Sequence, residues 1–282
     1  MSTAVILGAG DIGGALARQL AALDVVSRIV LVDDLSSVAA GKALDVAQSS
    51  PVDRYHTVMS GTSDLAAVVG AAVIVIADAA KAPGAEWKDD AGLALVKRVA
   101  GLNQIAPIIC AGTLQAGMIE KGVTEAGVSR VRLFGSAPEA LRSAVTALVA
   151  LEAEAAAADI SLSVLGRPPG HIIVPWDEAS IAGRTATAVL SAAQLARLDA
   201  RIARLWPAGP YALAAAAALI IRTAVTKSGR VHAAWVTSTR EEGAAGRSAM
   251  MPVTVNPAGI ASLVAPALSA RDRVRFETTM NG

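Results

Sequence analysis

Short apolar runs alternate with longer stretches of helical spacing through the first half of the chain. Residues 4–7 form an apolar run of strand length, a glycine-rich break follows at 8–13, and 14–23 continues with Ala15, Leu16, Leu20 and Leu23 at helical spacing. The pattern then repeats with a strand at 28–32, a helix at 38–48, a strand at 55–60, a short segment at 64–70 and a wholly apolar strand at 72–77. A polar stretch at 81–92 reads as a loop running into a helix, followed by a helix at 93–102, a strand at 106–111, a short helix at 118–127 and a strand at 130–134. Strand, helix and strand in repetition predict an α/β fold, a doubly wound parallel sheet with crossover helices.

The grammar changes after Ser136-Ala137-Pro138, which interrupts the pattern. Residues 141–158 make one alanine-rich helix pattern, and 160–165 with 172–174 are expected to pair as antiparallel strands. An amphipathic stretch at 195–205, an apolar helix at 211–226, strands at 231–237 and 251–256 and a closing helix at 270–279 complete the chain. The expected division is a first domain over residues 1–137 and an α+β substrate and oligomerisation domain over 138–282.

Composition narrows the classes of partner. Lys+Arg 25 against Asp+Glu 24 leaves a net charge of +1, with no basic stripe interleaved with aromatics, so nucleic acid is not an expected partner. The longest apolar stretch, 211–221, ends at Arg222 and falls well short of the roughly 20 residues that a membrane span needs. The chain runs from Met1 straight into a strand without the marks of a secretory signal, and a cytoplasmic location is the expectation. The single cysteine, Cys110, lies in an apolar run and reads as a buried small hydrophobe; no metal site is expected. At 54% the hydrophobic share exceeds the usual half or so, which points to tight helix packing and a subunit interface.

Gly8-Ala9-Gly10-Asp11-Ile12-Gly13 has the spacing of a dinucleotide fingerprint, and its context strengthens it. The motif follows a strand, opens a helix, and is succeeded 20 residues beyond Gly13 by an acid, Asp33, at the end of the second strand. Gly8 permits the turn, Gly10 lets backbone approach a pyrophosphate, and Gly13 lets helix and strand pack closely, with the N–H groups of Asp11 and Ile12 in the first helical turn. Asp33 is expected to accept from ribose hydroxyls and to repel a 2′-phosphate, so NAD is favoured over NADP. These features define a Rossmann-type domain.

From the first strand to the last helix the chain resembles the malate/lactate dehydrogenase family. The resemblance is carried by Leu31-Val32-Asp33, by Gly41-Lys42-Ala43-Leu44-Asp45-Val46 with Ser49-Ser50-Pro51, and by Gly61-Thr62-Ser63-Asp64-Leu65. Pro83-Gly84 with Asp89-Asp90, Val174-Pro175 with Ser180 and Gly183, and the alanine-rich stretch 211–218 extend it. It implies hydride exchange between a nicotinamide and a small 2-hydroxy or 2-keto acid, a homodimer or homotetramer, and a cofactor surface that includes Ala77 and Gly112. It also implies a histidine that moves the hydroxyl proton, an acid that orients it, and an arginine that grips the substrate carboxylate.

Arg142 stands at the place of that arginine and Glu139 at the place of the acid, one methylene longer than the family's aspartate. Lys81 and Lys88 replace loop arginines, as point charges without a planar fork. Gly112, in Ala111-Gly112-Thr113, falls where the family keeps an asparagine. The histidine's place holds a proline of Pro168-Pro169, and His171 comes two positions late, a shift that keeps a side chain on the same face of a strand. Two readings follow: a dehydrogenase with His171 and Glu139 as a displaced proton relay, or a catalytically silent NAD-binding relative serving as a binding or sensing subunit. Glu139 and Arg142 also suit a plain ion pair at three-residue helical spacing, and His171 a plain turn or strand residue. His56 and His232 receive no role.

Overall fold

The structure is a computed structural model that describes residues 2–239 and 246–281. In its first half β1 (Thr3–Leu7), α1 (Asp11–Leu23), β2 (Arg28–Val32), α2 (Ser36–Gln48), α3 (Ser50–Asp53) and β3 (Val58–Thr62) are followed by β4 (Val73–Ile76). A two-stranded hairpin of β5 (Asp78–Ala79) and β6 (Ala85–Glu86) leads into α4 (Asp89–Leu102), β7 (Ile108–Cys110), α5 (Ala116–Thr124) and β8 (Leu133–Gly135). The second half comprises α6 (Ala137–Ala153), β9 (Ile160–Ser161), β10 (Leu165–Arg167), β11 (His171–Ile173), β12 (Ser180–Ile181) and β13 (Arg184–Thr185). After these come α7 (Ala186–Val189), α8 (Ala192–Ile202), α9 (Pro210–Thr226), β14 (Val231–Thr237), β15 (Ser248–Asn256), β16 (Gly259–Leu263) and α10 (Ala270–Asn281).

Six parallel strands run in the order β3-β2-β1-β4-β7-β8. The chain starts in the middle of this sheet and winds outward both ways, so the order reverses between β1 and β4. In open α/β sheets the crevice at the carboxyl ends of the strands on either side of such a reversal is where ligands bind. Residues 8, 33, 78 and 112 all lie just past those ends. Apart from the edge strand β3 these strands are buried almost throughout, as near-continuous apolar runs such as Val73–Ile76 demand when both faces are covered by helices.

The sheet continues past the parallel set. Trp235 on β14 pairs antiparallel with Gly135 on β8, and β15, β10 and β11 follow. The hairpin expected between 160–165 and 172–174 takes a different form. Leu165–Arg167 pairs with His171–Ile173, whereas Ile160–Ser161 pairs with β12, because residues 162–164 lie in neither strand and split the first run into two strands of different sheets. The buried face of α9 packs against α1 and α6 and joins the two halves. Cys110 is fully buried, and that burial pushes its thiol far above the ordinary range. Among the described residues no single helix is long and apolar enough to cross a membrane.

Candidate functional site

The glycine loop forms as its spacing predicts. Gly8 has φ +104°, in the region that favours glycine, and a Cβ there would run into the Asp78 backbone; a Cβ at Gly13 would strike the Gly8 carbonyl. Gly10 donates its N–H to the Asp78 carbonyl at 2.8 Å, and Lys42 Nζ donates to the Gly10 carbonyl at 2.7 Å. The cradle is thus locked from both sides by residues far from it in sequence.

Its donors are already engaged. The Asp78 carboxylate, 1% exposed, accepts from the N–H of Asp11 at 2.8 Å and from those of Ile12 and Gly13 at 3.0 Å each. With the Gly10 bond, residue 78 satisfies four consecutive N–H groups at the start of α1, the groups a dinucleotide fingerprint reserves for a pyrophosphate. Gly10 itself has room for no Cβ because the Asp78 carboxylate stands there. The backbone of the cradle suits a dinucleotide, but the side chain at 78 does not fit one as it stands, since two anions would have to share one set of donors.

Asp33 lies at the end of β2 as expected and is 6% exposed. Its Oδ2 accepts from the N–H groups of Ala9 and Ala80, both at 2.8 Å, and its Oδ1 from that of Leu35 at 3.0 Å. It therefore ties the cradle, the β5–β6 hairpin and the start of α2 together. Asp34, beside it, is exposed. Both line a cavity of about 690 Å³ with Leu7, Val32, Trp87 and Arg98.

The β5–β6 hairpin sets Asp78 opposite Glu86. Opposed residues of an antiparallel pair share a face, and like charges so placed repel unless each finds its own donors. Glu86 finds them beyond β7: Oε2 accepts from the Leu114 N–H at 2.7 Å, and Oε1 from the Thr113 hydroxyl at 3.1 Å. A Cβ at Gly112 would collide with this carboxylate, so Glu86 fills the space that opens where a larger residue is missing. Gly112 N–H is bound by Gln115 Oε1 at 2.8 Å, and Gln115 in turn donates to the Ala77 carbonyl at 3.0 Å. Lys81 and Lys88 are exposed, and the Lys81 ammonium lies 5.9 Å from the centre of the Trp87 ring.

At the start of α6, Glu139 is buried, and Arg142 engages both of its oxygens: Nε to Oε2 at 2.8 Å and Nη2 to Oε1 at 2.5 Å. The guanidinium fork is therefore occupied by this chain's own acid. Glu139 Oε2 also accepts from the Ala233 N–H at 2.9 Å. Burial raises the Glu139 carboxyl, but the hydrogen bonds and charge of Arg142, with the His232 ring beside it, outweigh burial and hold the group at about 2.

No hydrogen bond or ion pair joins His171 to Glu139 among the described residues; His171 is exposed on β11. The imidazole beside Glu139 is that of His232, which sequence reasoning left without a role. Its Nδ1 lies 3.3 Å from Glu139 Oε1, close enough for an ion-pair contact though without the alignment of a hydrogen bond, and its Nε2 bonds the Thr223 hydroxyl at 2.9 Å. His232 is fully buried. The expected relay is thus replaced by a closed cluster of Glu139, Arg142, His232 and Thr223. A histidine second in a largely apolar strand run was the one local signal for it.

A doubly wound sheet with a glycine fingerprint at its reversal point, extended by antiparallel strands, defines the Rossmann class of α/β fold. Residues 3–102 match the model of the family described as lactate/malate dehydrogenase, NAD binding domain. The chain is 33% identical over 173 residues to a malate dehydrogenase of Pelagibacter ubique (strain HTCC1062), covering 59% of this chain. That match spans about half the length of the relative, 53%. The fold matches that of the malate dehydrogenase from Aeropyrum pernix, with TM-score 0.89 at 16% identity over 99% of this chain and 95% of the other. The lactate dehydrogenase of Cryptosporidium parvum complexed with lactic acid and nicotinamide adenine dinucleotide gives TM-score 0.88 at 19% identity, covering 99% and 95%.

Proposed function

We propose that this chain is a relative of the lactate and malate dehydrogenases that keeps the NAD-type cleft, does not catalyse the family's hydride exchange, and serves as a binding or sensing subunit. One observation carries the reading. The imidazole at Glu139 is His232, sealed in the core with its second nitrogen on Thr223, so among the described residues no histidine stands between the acid and solvent to move a substrate proton. The Arg142 fork, which would grip a substrate carboxylate, is spent on Glu139. The expected result with a panel of 2-keto and 2-hydroxy acids, oxaloacetate and pyruvate among them, is no turnover with NADH or NAD. Turnover that falls about a hundredfold in His171→Gln would overturn this reading.

That outcome would favour a second reading, NAD-dependent hydride exchange on a small carboxylic acid with His171 as a displaced relay and Lys81 and Lys88 as loop cations. It is supported by the acid and arginine retained at 139 and 142 and by the similarity to a malate dehydrogenase. Under either reading the chain works as a homodimer or homotetramer. Leu44 on α2, Val52 on α3 and Tyr211 on α9 are 59%, 82% and 81% exposed, an apolar surface that a second copy would cover. Light scattering should give at least twice 28.4 kDa; a particle of that single mass at micromolar concentration would refute the oligomer.

A further inference from the structure

We propose that Asp78 is an internal surrogate for the pyrophosphate of a dinucleotide, and that it sets the ligand preference of the cleft against phosphate-bearing ligands and toward an uncharged nucleoside. This rests on the cleft being of the NAD type, as above, but not on the absence of turnover. The carboxylate is buried and engages three first-turn N–H groups of α1 at 2.8–3.0 Å, while its backbone carbonyl takes the Gly10 N–H. A helix N-terminus stabilises one anion within its first turn, and here a side chain of the same molecule supplies it.

The neighbouring half of the cleft is open by contrast. Its cavity of about 690 Å³ has an apolar wall of Leu7, Val32, Leu65 and Leu95 beside the carboxylates of Asp33 and Asp34. Trp87 also lines this cavity, and its buried Nε1–H has no hydrogen-bond partner among the described residues. Apolar walls with a few polar groups suit a flat base and its sugar, whereas a linked pyrophosphate would have to displace Asp78 from its donors. Discrimination between nucleoside and dinucleotide thus lies in one side chain. The β5–β6 hairpin that presents Asp78 is short, so the carboxylate can leave the cradle only by rotating its side chain or by moving that hairpin.

The test compares wild type, Asp78→Ala and Asp78→Asn by calorimetry and tryptophan fluorescence, using NAD, inorganic pyrophosphate and adenosine as probes. Hydrogen bonds to a charged group contribute enough that freeing the donors in Asp78→Ala should tighten NAD roughly ten- to a hundredfold, with adenosine within about twofold of wild type. Without ligand, the thermal midpoint of Asp78→Ala should fall by roughly 3 °C or more, and pyrophosphate should recover part of the loss. Asp78→Asn keeps the shape and removes the charge, so it should tighten NAD with a smaller loss of midpoint, and it carries the test if the alanine variant fails to fold. Unchanged NAD affinity in both variants, or adenosine tightened as much as NAD, would overturn the proposal. Binding of none of the probes to any variant would overturn it too. Turnover of a keto acid by wild type would instead refute the silent reading and leave the role of Asp78 standing on the binding data.

Discussion

The glycine cradle and the Glu139 centre are both closed by acids of this chain, but by different means. In the cradle the donors are backbone N–H groups whose positions are set by Gly8, Gly10 and Gly13, and the geometry persists whichever anion sits on it. At the Glu139 centre the donors are side chains, and the acid has collected a new set: Arg142 one helical turn on, and the N–H of Ala233 and the ring of His232 from β14. A site built of backbone keeps its form when its occupant changes. A site built of side chains is rewired by a single imidazole in a new place.

The comparison breaks first at Glu139. Replacing it by leucine strands Arg142, the Ala233 N–H and His232 without their anion in a buried setting, and the expected loss is about 3–5 kcal/mol, read from urea unfolding. A loss below about 1 kcal/mol would show that the cluster adds little to the packing of α6 and α9 against β14. Acid sharpens the same point. Because the folded-state carboxyl is held at about 2, below its ordinary 4.5, its contribution is present above pH 4.5 and is lost as pH falls through 2. Unfolding free energy should therefore decline over that window in wild type, and the decline should be shallower in Glu139→Gln. The smallest effect is expected at His171: exposed and without a described partner, its change to glutamine should alter stability by less than about 0.5 kcal/mol. A larger loss would mean that His171 is tied into the fold and would revive it as a candidate relay.

Much of the fold was legible along the chain because its signals are local. Short apolar runs mark β1, β2, β4 and β7, and the break at Ser136-Ala137-Pro138 coincides with the start of α6. The run at 160–165 was misjudged, since periodicity cannot tell one strand from two short ones that diverge into different sheets. In the site, the glycine fingerprint and Asp33 fell at the predicted strand ends, and Glu139 with Arg142 met at their three-residue spacing. The partners of those groups were not legible. Asp78 lies 67 residues from the N–H of Asp11, and Ala233, next to His232, lies 94 from Glu139.

By itself, then, the sequence determined the winding of the sheet, the backbone form of the cradle and the similarity to lactate and malate dehydrogenases. These depend on spacing within one or two elements, where steric rules act over a few residues. Only the tertiary structure decided which acid meets which donor: Asp78 on the cradle, Glu86 beyond β7, and His232 rather than His171 at Glu139. A carboxylate leaving water takes the donors nearest to it in space, and those are set by how strands far apart in sequence are brought side by side.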